Sequence, residues 1–171
     1  MISRLRKGVT RTRMGLACLF FLSALSFPPG LSSGQVRPPA KPSPRDKCPV
    51  CGMFVAGYTD FLAAASFGDG AVSYFDGPKD MFRFLFDPGK YLPGRNRGDI
   101  NAVWVTDYYS LKLIDGSSAF YVRGSDILGP MGAELIPFAK EEEAGEFMTD
   151  HKGQGLLRFA DITPDVIGSL D

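Results

Sequence analysis

The stretch AVSYFDGPKDMFRFLF, residues 71–86, takes the chain from a strand into a helix and indicates the fold class. Residues 71–75 favour a β-strand. Asp76 followed by Pro78 is typical of a helix start, with an N-cap carboxylate and a first-turn proline. Apolar side chains then recur at helical spacing, which predicts a helix with one face in the core. The residues predicted for that face are Met81, Phe82, Leu85 and Phe86.

The segments on either side of this stretch complete a β-β-α-β order. Upstream, residues 61–67 predict a strand, and the turn Gly68-Asp69-Gly70 joins it to the next strand as a hairpin. Downstream, Asp87-Pro88-Gly89 ends the helix. Residues 100–105, which include Trp104, predict a third strand.

The second half of the chain repeats this order. Its predicted elements are strands at 111–114 and 119–122 around an Asp115-Gly116 turn, a Gly-rich loop at 124–132, a strand at 134–138, a helix at 139–151 and a strand at 156–162. Each unit is too small to be stable alone, so we expect the two to pack together. We predict an α+β fold of two tandem β-β-α-β units, at residues 47–107 and 108–171. The alternative is a single α+β sheet without a true repeat.

Residues 1–34 have the three parts of a secretory signal peptide. Five bases and no acid precede an apolar stretch at 14–27, and small residues follow that stretch. Residues 35–46 contain four prolines and predict an extended linker. Cys18 lies before most of the apolar stretch, which a lipoprotein cleavage site would not allow. We therefore expect export to the periplasm, with a lipid anchor as the less favoured alternative.

Composition and charge exclude several classes of protein. Of 171 residues, 44% are hydrophobic and 22% charged, which is typical of a globular domain. After the five N-terminal bases, 14 bases and 19 acids remain, so residues 35–171 carry a net charge of −5. That charge argues against nucleic-acid binding. No apolar run is long enough to predict a transmembrane body, and a single His excludes a multi-histidine metal site.

The two cysteines of the expected mature chain lie in Cys48-Pro49-Val50-Cys51-Gly52-Met53, and three kinds of site compete for them. A structural zinc site needs four ligands, and the chain has no second cysteine pair to complete one. A disulfide, structural or catalytic, is compatible with export. The third kind is a soft metal site, because thiolate and thioether sulfurs select Cu(I). Cys51 and Met53 would point the same way in an extended segment.

A further candidate sulfur ligand lies in the Gly-rich loop. Gly129-Pro130-Met131-Gly132 places a methionine in a tight turn, whereas core methionines normally lie on helices or strands. The alternative is an ordinary surface or packing residue. If Met131 and Cys51 bind one ion, the loop must fold over the start of the first unit.

Residues 46–162 resemble the NosL family of nitrous oxide reductase accessory proteins. The resemblance is carried by the Cys48–Met53 motif, by Tyr74-Phe75-Asp76 before the helix, and by Tyr121-Val122-Arg123-Gly124-Ser125 followed by the Gly-Pro-Met-Gly loop. Two features depart from the family pattern. A convincing lipoprotein cleavage site is missing, which bears on membrane anchoring, and Leu113 stands where family members often have Trp.

The resemblance implies a periplasmic Cu(I) chaperone, a binding protein and not an enzyme. It implies copper delivery to nitrous oxide reductase or a related apo-cuproenzyme. The ligands implied are Cys51, Met53 and Met131, with Cys48 as a further sulfur. The alternative function is a periplasmic thiol-disulfide oxidoreductase that uses Cys48 and Cys51.

Overall fold

A computed structural model describes residues 37–171. The predicted signal peptide and Cys18 lie outside the described residues, as does the start of the linker. Within residues 37–171, no helix has both the length and the apolar character needed to cross a membrane. The described part of the linker contains no helix or strand, and the Tyr74 hydroxyl donates a hydrogen bond to the Ala40 carbonyl at 2.7 Å.

The first half of the chain forms a four-stranded antiparallel sheet. Its strands are β1 (Ala63–Phe67), β2 (Val72–Phe75), β3 (Ile100–Thr106) and β4 (Leu113–Asp115), in the order β2-β1-β3-β4. The predicted turn at Gly68–Gly70 joins β1 to β2, and Gly70 adopts a φ of +87° that favours glycine.

Over residues 37–171, four α-helices accompany the sheets. They are α1 (Pro78–Phe86), α2 (Pro88–Tyr91), α3 (Glu141–Asp150) and α4 (Pro164–Gly168). The N-cap of α1 is Gly77, so the prediction of Asp76 as N-cap was wrong by one residue. The side chain of Asp76 instead accepts a hydrogen bond from the Cys51 thiol. The short α2 was not predicted, and Asp87 caps it through the Lys90 amide.

The second half of the chain forms a three-stranded antiparallel sheet and a small hairpin. Its strands are β5 (Phe120–Arg123), β6 (Leu128–Gly129), β7 (Gly132–Ala133), β8 (Ile136–Phe138) and β9 (Gly155–Arg158). The larger sheet has the order β8-β5-β9, and β6 pairs with β7. In each of the two larger sheets the first strand pairs with two later strands: β1 with β2 and β3, and β5 with β8 and β9. In each case a helix, α1 or α3, lies in the sequence between those two later strands.

One strand lies in a different sheet from the one predicted. The segment that becomes β4 was predicted to open the second unit, but it pairs with β3 in the first sheet. The physical reason is the turn between them: the Asp107 amide donates to the Lys112 carbonyl, and Leu111 takes a left-handed φ of +55°. The chain therefore returns directly onto β3. The α+β class is confirmed, and the division into two tandem units stays a prediction.

The larger of two buried clusters draws on both halves of the chain. Phe82 on α1 packs edge-on against Tyr121 on β5, with ring centroids 5.4 Å apart. Of the side chains predicted for the core face of α1, Met81, Phe82 and Leu85 are buried; Trp104 and Phe147 are also buried, and Phe159 is half-buried. Phe86 is 41% exposed, so that prediction was wrong. Phe84 is buried instead and contacts Phe75 at a centroid distance of 5.2 Å.

Candidate metal centre

The Cys48–Met53 segment folds into a tight turn just before the first sheet. The Cys48 amide donates to the Met53 carbonyl at 2.8 Å, and the Gly52 amide donates to the Cys48 carbonyl at 2.9 Å. Gly52 takes a φ of +79°, a conformation that glycine adopts at little cost. The extended segment assumed for Cys51 and Met53 is therefore not what the chain forms. Residues 48–53 therefore lie in a compact turn, and their sulfurs are not spaced along a strand.

The start of α1 faces this turn with two carboxylates. The Cys51 thiol donates to Asp76 Oδ1 at 3.2 Å, and the Cys48 thiol donates to Asp80 Oδ2 at 3.3 Å. The two sulfurs and one oxygen from each carboxylate all lie within 4.8 Å of one another. Cys48, Asp76 and Asp80 are buried, whereas Cys51 is half-buried. Cys51 is therefore the member of this cluster that an incoming ion or partner reaches first.

Both cysteines are free thiols rather than a disulfide. Burial raises the pKa of Cys48 well above its ordinary value, and burial raises the pKa of Cys51 to about 12. The neighbouring carboxylates act in the same direction, because a negative charge disfavours the thiolate. At neutral pH both sulfurs therefore carry protons in the metal-free protein, and a metal ion must displace them.

The two carboxylates were missed by the sequence analysis. The ligands predicted from the sequence were all sulfurs, and Asp76 was predicted as a helix cap. Asp76 and Asp80 flank the predicted helix start, which is the only local signal that they share. Nothing in the sequence pairs these carboxylates with the cysteine motif.

Met131 lies at the tip of the β6–β7 hairpin. Gly129 pairs with Gly132, so Pro130 and Met131 form a two-residue turn. The Met131 side chain is 45% exposed. Its carbonyl accepts a 2.9 Å hydrogen bond from Lys79 Nζ, and Lys79 immediately precedes Asp80. The hairpin and the cysteine turn thus both contact the first turn of α1, while the role of the Met131 sulfur stays a prediction.

The donor set is chemically mixed. Thiolates and thioethers suit Cu(I), whereas two thiolates and two carboxylates are also a donor set that Zn²⁺ accepts. Asp76 and Asp80 therefore supply the two further ligands that the cysteine motif alone lacks for a zinc site. Met53 is half-buried and Met131 is exposed, and a role of either thioether at the metal stays a prediction.

Comparison with known proteins gives a consistent result. The NosL family model matches residues 39–167. The copper-binding lipoprotein NosL of Stutzerimonas stutzeri is 32% identical over 124 residues, which are 68% of this chain and 62% of that relative's length. The crystal structure of the copper chaperone NosL from Shewanella denitrificans is similar with a TM-score of 0.59 and 26% identity, over 74% of this chain and 99% of that one.

Proposed function

The chain belongs to the NosL family, and from that premise we propose that it is an exported carrier that binds one Cu(I) ion and hands it to an apo-cuproenzyme. One observation carries the proposal most directly. Two free thiols lie beside the start of α1, one buried and one half-buried, in a turn that also contains Met53. Soft sulfur donors at a partly open site suit an ion that must be both bound and released.

The proposed copper ligands are Cys51, Met53 and Met131, with Cys48 as an additional sulfur. The thiolate is the ligand, so the Cys51 thiol loses its proton when copper binds. By analogy with zinc–thiolate bonds of about 2.3 Å, two sulfurs on one copper lie roughly 4–5 Å apart. Support for Met131 comes from the Lys79 hydrogen bond, which brings its hairpin to the turn of α1 that the cysteines contact.

Transfer would proceed by ligand exchange. A Cu(I) ion with two or three sulfur ligands has room for one more, and Cys51 is half-buried rather than enclosed. A sulfur or imidazole of the recipient binds the ion first, and the donor sulfurs then leave. No electron changes hands, so copper remains Cu(I) throughout.

We propose nitrous oxide reductase or a related apo-cuproenzyme as the recipient and the periplasm as the compartment. The signal-peptide pattern at residues 1–34 and the names of the relatives support this assignment. The relative from Stutzerimonas stutzeri is a lipoprotein. For this chain, the position of Cys18 ahead of most of the apolar stretch favours a form without a lipid anchor.

The alternative, a thiol-disulfide oxidoreductase, fits the cysteine pair less well. Reactive thiols have lowered pKa values because the thiolate is the nucleophile. Here burial moves the pKa of both thiols upward, to about 12 for Cys51. Thiols of this kind are slow in exchange, because little thiolate is present at neutral pH.

A competition titration of the reduced full chain tests the proposal. We expect one Cu(I) per chain, held more tightly than Zn(II), when each metal is titrated against a chelator of known affinity. Cys51→Ser and Met131→Leu should each weaken Cu(I) binding. Met148→Leu is the matched control, because Met148 lies on α3 and packs in the second cluster.

Two outcomes would overturn this proposal. Preference for Zn(II) over Cu(I) would show that the carboxylates and not the thioethers set the selectivity. Disulfide-reductase activity that is unchanged in Met131→Leu, together with weak copper binding, would favour the thiol-exchange alternative.

A further inference from the structure

The N-terminus of α1 is capped by a residue from the other half of the chain. Its own N-cap, Gly77, has no side chain, and Glu134 supplies the missing acceptor. Glu134 Oε1 accepts from the Lys79 amide at 2.6 Å and from the Leu135 amide at 2.9 Å. Glu134 is only 3% exposed, so its carboxyl group is committed to these contacts.

Gly77 has no side chain and so leaves space for this carboxyl group. A Cβ atom at position 77 would lie 2.1 Å from Glu134 Oε2, far inside contact distance. Gly129, on β6, approaches the same side chain: a Cβ there would lie 3.0 Å from Glu134 Cβ. Glu134 is therefore enclosed between the start of α1 and the hairpin that carries Met131.

Lys79 provides a second link between the same two elements. Its side chain is only 2% exposed, and Nζ donates to the Met131 carbonyl at 2.9 Å and to the Leu170 carbonyl at 3.2 Å. Asp171 Oδ1 lies 4.0 Å from the same nitrogen. A buried ammonium group is costly unless hydrogen bonds compensate it. The Lys79 ammonium therefore holds the backbone of Met131 against α1.

The hairpin needs such links to keep one position. Each of its strands has two residues, and an isolated hairpin of this kind is at best marginally stable. Leu128 and Met131 are 64% and 45% exposed, so side-chain burial does little to hold them. The contacts made by Lys79 and Glu134 are the polar links that join residues 129–134 to α1.

We propose that Lys79 and Glu134 are positioning residues that hold the β6–β7 hairpin on the first turn of α1, so that the Met131 thioether is presented to the cysteine pair. The proposal rests on the function proposed above and deepens it. Both cysteines are contacted at the start of α1, by Asp76 just before the N-cap and by Asp80 in the first turn. A Cu(I) site assembled from both halves of the chain thus depends on this turn as a common support.

A double-mutant cycle separates positioning from a merely structural role. Lys79→Met and Glu134→Ala are made alone and in a Met131→Leu background, and Cu(I) affinity is measured by chelator competition. Removing partners that orient a metal ligand typically costs about 10–100-fold in affinity, and we expect a loss of this size in each single variant. In the Met131→Leu background the further loss should be no more than about twofold, the scatter of independent sites.

Conservative and distant variants provide the controls. Glu134→Gln keeps an acceptor oxygen for the Lys79 amide and should restore most of the affinity lost in Glu134→Ala. Lys140→Met should leave affinity unchanged, since the Lys140 side chain is 68% exposed and pairs with Glu143. If Glu134→Ala does not fold, Lys79→Met carries the test, because methionine fills the same buried space without a charge.

Amide hydrogen exchange in the copper-free protein gives a second readout. Lys79→Met should speed exchange at residues 129–133 and leave the amides of β1 and β3 unchanged. Equal affinity losses with and without Met131, or unchanged hairpin exchange, would overturn the positioning role. Failure of the unmodified chain to bind Cu(I) would instead overturn the proposed function, even where exchange shows that Lys79 anchors the hairpin.

Discussion

Asp76 and Asp80 bring hard oxygen donors to a pair of soft sulfurs. Each carboxylate is buried and accepts a hydrogen bond from one thiol. Asp80 is also paired with Arg83 at 3.1 Å, which partly neutralises its charge. Asp76 contacts the half-buried Cys51, the more exposed of the two thiols. Asp76 is therefore the carboxylate better placed to bind an ion at the open side of the cluster.

Replacing Asp76 should separate the two metals. Asp76→Asn keeps the shape of the side chain but removes its charge, and carboxylate oxygen matters to Zn(II) more than to Cu(I). We expect Zn(II) affinity to fall by about tenfold or more and Cu(I) affinity to fall less. Chelator competition with each metal measures both, with the exposed Asp60→Asn as control. Equal losses for the two metals would show that Asp76 acts on the cysteine turn and not on the ion.

The first turn of α1 is the element on which the site converges. Asp80 in this turn and Asp76, which precedes the N-cap, contact the cysteine turn, and Lys79 contacts both the hairpin and Glu134. The backbone conformation of Gly77 does not require glycine, because its φ of −162° is extended and any residue adopts it. Glycine is required at this position for steric reasons. The contact of Glu134 with the Gly77 backbone leaves no room for a side chain.

Two glycine substitutions should therefore change the free energy of unfolding in opposite directions. Gly77→Ala should lower the free energy of unfolding by about 1–3 kcal/mol, because it displaces a buried acceptor from its amide partners. Gly145→Ala, in the middle of α3 with open space around it, should raise that free energy by about 0.5–1 kcal/mol. Urea unfolding measures both. A neutral Gly77→Ala would mean that Glu134 can cap α1 from another position.

At the scale of the whole molecule, one buried acid links the halves of the chain. Burial raises the pKa of Glu134 from 4.5 to about 8, although two backbone amides and Lys79 oppose the shift. Asp80 adds a smaller effect in the same direction as burial. Between pH 4.5 and about pH 8, Glu134 is protonated in the folded chain and ionised in the unfolded chain. Stability contributed by this group is therefore present below pH 4.5 and is lost as pH rises toward 8.

The pH dependence of unfolding should report this group. We expect the free energy of unfolding of the metal-free protein to fall between about pH 5 and pH 8, and Glu134→Gln to flatten that fall because glutamine does not titrate. Urea unfolding across this range measures the slope, and the exposed Glu142→Gln is the control. Parallel curves for Glu134→Gln and the unmodified chain would contradict the expectation.

Elements set by neighbouring residues were predictable from the sequence. The hairpin turn at Gly68–Gly70, the helix that begins near Pro78 and the helix over Glu141–Asp150 depend on turn residues, proline and helical spacing. The exposure of Phe86 was not predictable in this way. Helical spacing identifies a stripe of apolar residues, but the packing of Phe84 against Phe75 determines which edge of the stripe is covered.

The amino-acid sequence alone established the α+β class, the cysteine motif and the family, because these follow from local pattern and residue identity. Tertiary packing was needed to place Asp76 and Asp80 beside the thiols and to bring Lys79 to the carbonyl of Met131. Those contacts join residues far apart along the chain. Their geometry depends on how sheets, helix and hairpin pack together, and no spacing within one segment contains that information.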